Sequence, residues 1–105
     1  MYNMHMITDG YIDFEWDDRK ASINESKHGV TFDEAADAFS DPWSLVMPDP
    51  DHSDTEERFL LIGMDLRSRV LTVVHCERDG GARVRIISAR RATRNEAADY
   101  WRCRQ

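Results

Sequence analysis

Residues 58–91, RFLLIGMDLRSRVLTVVHCERDGGARVRIISARR, decide the fold. They hold three apolar runs, roughly Arg58–Met64, Val70–Glu77 and Arg83–Arg90, each of strand length and rich in branched side chains. The connections Asp65–Arg69 and Arg78–Ala82 are short, and the second contains Asp79-Gly80-Gly81. Loops this short join antiparallel neighbours, so the stretch reads as a meander.

The flanks extend the pattern. Trp43–Met47 is a further short strand, followed by a turn-rich loop from Pro48 to Asp54. Tyr11–Trp16 (YIDFEW) alternates apolar and acidic side chains and reads as a half-buried strand. Asp17 stands where a helix N-cap belongs and Gly29 where the chain leaves a helix, which predicts a polar surface helix over Asp18–His28. Thr31-Phe32-Asp33-Glu34 is a capping box, and Phe32, Ala35, Ala36 and Phe39 form one apolar face that ends at Asp41-Pro42. A second box, Thr93 to Glu96, opens a C-terminal helix that Ala97, Tyr100 and Trp101 would dock on the sheet. The order β-α-α-β-β-β-β-α predicts an α+β domain: an antiparallel sheet with helices packed on one face and the other partly open. Residues 14–105 make one domain in this reading, after a loose extension over 1–13.

At 105 residues the chain has the size of a single domain, and 41% hydrophobic with 32% charged residues excludes collagen, low-complexity disorder and a disulfide scaffold. The apolar runs fall far short of the ~20 residues of a membrane helix. The first residues show no export signal, and Cys76 and Cys103 lack metal spacing, so a cytoplasmic protein with reduced thiols is expected.

A net charge of −6 argues against bulk affinity for nucleic acid. Its distribution is uneven. Residues 1–52 carry three basic and twelve acidic side chains, whereas residues 53–105 carry eleven arginines, no lysine and eight acids. Arginine presents a planar fork suited to phosphate or carboxylate. Such a half is either a local anion site or a solvated, salt-bridged surface.

Individual residues sharpen the alternatives. Leu71, Val73, His75 and Glu77 share one strand face by period-two spacing. His75 and Glu77 are therefore an acid/base pair or a hydrogen-bonded histidine at a strand end. Strict alternation puts Arg83 and Arg85 on one face of the next strand and Ser88 and Arg90 on the other. Arg85, a cation in mid-strand, needs a structural acid or a substrate phosphate as partner. Asp49, Asp51, His52 and Asp54 form a loop that could hold a metal, but they lack the glycine and glutamate placement of a calcium loop. No phosphate-binding glycine loop, dinucleotide turn or nucleophile elbow is present.

Phe14-Glu15-Trp16-Asp17, Lys20, Asn24, Lys27-His28-Gly29-Val30, Phe32, Glu34-Ala35, Phe39, Asp41-Pro42, Glu57-Arg58-Phe59, Ile62-Gly63, Arg85-Ile-Ile-Ser-Ala-Arg90, Ala92-Thr93 and Glu96 together resemble the BrnT family of bacterial toxins. The resemblance runs from about Phe14 to Tyr100. It implies a RelE-like fold and an endoribonuclease toxin of a type II toxin–antitoxin module, which inhibits translation and uses no cofactor. It further implies a BrnA-like antitoxin with a ribbon-helix-helix part, a heterotetramer of the two, and contact with DNA only through the antitoxin.

Cleaving RNA without a metal requires deprotonation of a 2′-hydroxyl, stabilisation of a phosphorane and protonation of the leaving oxygen. By residue type, His75 and Glu77 are the acid/base candidates. Arg58, Arg85 and Arg90 are the phosphate clamps, and Lys27, Arg83 and Arg94 the further RNA contacts. The acidic first half should then face away from RNA or toward a basic partner segment. The alternative is a non-catalytic, partner-binding co-repressor subunit.

Overall fold

The computed structural model describes residues 2–7, 10–51 and 57–105, and the side chains from Ile12 onward within that set. The elements are β1 (Tyr2–Ile7), β2 (Gly10–Glu15), α1 (Asp18–His28), α2 (Phe32–Ala38), β3 (Leu45–Pro48), β4 (Phe59–Met64), β5 (Val70–Arg78), β6 (Arg83–Arg91) and α3 (Arg94–Arg104). From β2 onward this is the expected α+β order. Where a loose extension is expected over 1–13, the backbone of β1 runs antiparallel to β2.

The sheet order is β1-β2-β6-β5-β4-β3. The meander β3-β4-β5-β6 is antiparallel, as its short loops require. The sheet as a whole is mixed, which corrects the purely antiparallel expectation: β2 lies parallel to β6, with Phe14 opposite Val84. The chain between them is long enough to cross back over the sheet, so nothing forces a hairpin there.

The helix ends follow local rules. Asp17 accepts the Lys20 amide at 3.0 Å, and Gly29, at φ 70°, closes α1 in the left-handed region where glycine is unstrained. Thr31 and Glu34 complete the capping box of α2, and Thr93 and Glu96 that of α3.

One core joins Phe14, Leu61, Leu71, Val73, Val84 and Ile86 of the sheet to Trp16, Val30 and the Phe32/Ala35/Ala36/Ala38 side of α2. The alanines let α2 approach closely: a Cβ on Gly63 would meet the Ala38 carbonyl at 2.9 Å. The third helix lies on the opposite face. Its Glu96 accepts from Thr72, which alternates with the core residues Leu71 and Val73 along β5, and buried Tyr100 donates to Asp41 at 2.6 Å. Placement of all helices on one face therefore holds for α1 and α2 and not for α3. Among the described residues, α3 covers the Ile62–Thr72 end of that second face.

Beyond Glu15 the parallel partner of β6 is gone, and α1 closes the exposed edge. The Asn24 amide donates to the Ala89 carbonyl at 2.9 Å and accepts the Ala89 N–H at 3.0 Å, doing what a neighbouring strand would do.

Candidate functional site

The site is set by an irregularity in β6. Val74 lies opposite Ser88, but His75 lies opposite Ile86, so Ile87 is an extra, unopposed residue. A bulge of this kind shifts the alternation of side chains by one position. Strict alternation separates Arg85 from Arg90. The bulge instead puts Arg85 opposite Cys76, Ser88 opposite Val74 and Arg90 opposite Thr72, all on one face. Arg78 and Arg83 pair on that face as well. Arg58 precedes Leu60 and Ile62 and follows their parity. The face thus carries Arg58, Arg78, Arg83, Arg85 and Arg90.

A cleft of about 400 Å³ opens on this face beside the N-terminal end of α3. Leu60, Val74 and Ile87 give it an apolar floor, Arg58 and Arg90 stand at its sides, and Asp49, Ser88 and Glu96 supply polar atoms. Asp49 is held beside Arg58 by the continuing β3–β4 ladder, its amide donating to the Arg58 carbonyl at 2.9 Å.

The two walls differ electrostatically. Arg90 donates to both oxygens of Glu96, at 2.7 and 3.1 Å. Glu96 also accepts from Thr72 at 2.9 Å and from the Thr93 amide at 2.8 Å. The Arg90 guanidinium, ahead of the opposing cost of burial, brings the Glu96 carboxyl down to about 2. Glu96 is consequently a poor proton acceptor near neutrality. On the other wall, Arg58 is half-buried and lines the cleft. Arg85 lies further along the same face, close enough to Asp17 to help hold that carboxyl low, behind the larger effect of the Lys20 amide.

His75 and Glu77 are elsewhere. His75 is fully buried on the α1/α2 face, its ring 4.9 Å from that of Phe39 and 6.0 Å from that of Phe59. Its Nε2 meets Glu77 at 3.1 Å. Burial holds the imidazole below its ordinary value, against the opposing pull of Glu77. The structure therefore does not bring this pair together with Arg58, Arg85 and Arg90.

Of the further cations, Arg83 sits at the start of β6, 3.8 Å from Asp79, and Arg94 is exposed at the first position of α3. Lys27, in the last turn of α1, lines a second hollow of about 210 Å³ with Lys20, Ile23, Asn24, His28, Ile87 and Ser88. In the acidic loop after β3, the Asp51 amide donates to the Asp49 carboxylate at 3.0 Å, while His52 and Asp54 lie outside the described residues. Asp49, Asp51, Ser88 and Glu96 of the cleft and Lys20, Asn24 and His28 of the hollow are polar lining residues outside the RNA set expected from the sequence. For Ser88 the signal was the doubled isoleucine of Arg85-Ile-Ile-Ser, which interrupts an apolar/polar alternation, whereas the others carry no comparable local signal.

A family model described as "Ribonuclease toxin, BrnT, of type II toxin-antitoxin system" matches residues 16–96. No curated protein matches the chain.

Proposed function

The chain belongs to the BrnT family of ribonuclease toxins of type II toxin–antitoxin systems, and from that premise we propose that the arginine face of the sheet grips and cleaves RNA without a metal ion. The observation that carries this reading is the bulge at Ile87, which gathers Arg85, Ser88 and Arg90 on the face that Arg58 also occupies.

Arg58 and Arg85 take the phosphate, because a guanidinium fork matches two non-bridging oxygens and its charge grows in value as the phosphorane forms. Arg90 keeps its bond to Glu96 and contributes through its position at the cleft wall. Of the cleft carboxylates Glu96 is locked by four donors, which leaves Asp49 and Asp51, and Asp49, held beside Arg58, takes the role of accepting the 2′-hydroxyl proton. The 2′ oxygen then bonds to phosphorus, the bond from phosphorus to the 5′ oxygen breaks, and the leaving oxygen takes a proton from water. The products are a 2′,3′-cyclic phosphate and a 5′-hydroxyl end. Loss of intact message stops translation in the cytoplasm.

A type II toxin implies a protein antidote. In our reading this is a BrnA-like antitoxin whose ribbon-helix-helix part makes the operator contacts within a heterotetramer. A net charge of −6 on the toxin fits an indirect role at DNA.

Expression of the chain alone in a bacterium tests the proposal. Growth should arrest, co-expression of the antitoxin should restore it, and an Arg58→Ala/Arg85→Ala variant that accumulates normally should no longer arrest growth. Undiminished arrest by that variant would remove these arginines from the site.

A further inference from the structure

The hollow beside α1 and the cleft on the sheet face share Ile87 and Ser88, so the two adjoin at the bulge of β6. The chain has only two lysines, Lys20 and Lys27, and both line this hollow. They occupy positions i and i+7 of one helical stripe, about 10 Å apart along the axis. Between them lie Ile23 and Asn24, and Asn24 is the residue that ties α1 to Ala89. Asp18 and Glu25 line a different hollow, with Asp33 and Trp16, whereas the capping carboxylate of Asp17 lies within electrostatic reach of Lys20 and Arg85. The lining of the hollow itself holds no acid and is cationic at both ends, with exposed Ile23 and half-buried Ile87 between the charges.

Resting on the reading of the cleft as an RNA site, we infer that this hollow is a second phosphate subsite, which holds a single strand next to the scissile position and makes recognition depend on RNA length. Lysine ammonium groups spaced along a helix suit successive phosphates, and an apolar floor suits the face of an unpaired base. A duplex keeps its base faces stacked inside and has nothing to lay on Ile23 and Ile87. The track runs from Arg58 over the bulge to Lys20 and Lys27.

The test uses the full chain with a single-stranded hexaribonucleotide and the matching dinucleotide, both fully 2′-O-methylated so that they bind without being cut. The wild type should bind the hexamer at least tenfold more tightly than the dinucleotide. Lys20→Ala/Lys27→Ala should abolish most of that gain and lower the salt slope by about 1.4, the value for two phosphate contacts on a single strand. Lys20→Arg/Lys27→Arg should restore both, which separates lost charge from lost folding. A length dependence that survives in the double alanine variant would overturn the inference, as would a variant that binds RNA normally and loses only the antitoxin. If the wild type bound neither oligonucleotide, the subsite and the RNA reading would fall together. Lysine-dependent gain in a protein that cuts no unmodified RNA would keep the subsite and remove only the ribonuclease proposal.

Discussion

Arg90 and Glu96 clasp each other where β6 gives way to α3, the guanidinium donating at 2.7 and 3.1 Å to the two carboxylate oxygens. Thr72 from the middle of the sheet and the Thr93 amide converge on the same carboxylate. Glu96 thus caps the helix, fixes it to the sheet and sets one wall of the cleft.

This clasp makes stability depend on acid. Glu96 is lowered from 4.5 to about 2, chiefly by Arg90, and Glu34 is lowered equally far, chiefly by the Thr31 amide. Below 4.5 the unfolded chain binds protons that the folded one refuses, so the stability present above that value drains away as pH falls toward 2. Glu96→Gln should cost about 1–2 kcal/mol at neutral pH, a figure discounted for solvent screening of a partly exposed group, and should flatten the acid limb. Urea unfolding of both proteins across that range is the check. An unchanged acid limb would mean that the clasp contributes no net stability.

His75 makes a separate prediction of the same sign in a different window. Burial against Phe39 and Phe59 depresses its pKa from 6.5, outweighing the pull of Glu77. The unfolded chain therefore gains a proton below 6.5 that the folded chain does not, and stability falls as pH drops from there toward the folded value. His75→Gln should remove this component. Stability that rose on acidification through the same window would show that the Glu77 pair dominates instead.

Asn24 should be one of the costliest polar side chains to truncate. Its amide makes three bonds to backbone groups, at the Val30 carbonyl and at both polar groups of Ala89. Asn24→Ala leaves those groups without partners in the interior and should cost about 2–4 kcal/mol. It should also speed hydrogen exchange at the Ala89 amide. A denaturation midpoint close to wild type would show that water fills the edge of β6 at little cost.

Several features of the fold are legible in the sequence alone. The capping boxes, the glycine stop after His28, the meander and the α+β order rest on local rules, and local rules need only nearby residues. What failed depends on distant ones. The parallel seating of β2 on β6 and the position of α3 are choices between faces that a strand's own alternation leaves equivalent. His75 illustrates this: its face partners Leu71 and Val73 were assigned correctly, yet only the packing of Phe39 shows that this face is the interior. The three arginines nominated as clamps do reach a common face, but through the extra residue at Ile87 and not through alternation. Asp49 carries no site assignment in the sequence because its neighbour Arg58 is close only across a strand pair.

The most direct measurement is single-turnover cleavage of an unstructured RNA by purified protein, in excess chelator, comparing wild type with Arg58→Ala. Chelator should leave the wild-type rate intact, the products should carry cyclic phosphate ends, and the variant should lose about 10²-fold or more while melting like the parent. A variant that cuts at the parental rate, or a parental activity that vanishes with chelator, would contradict the assignment of the chemistry to the arginine face.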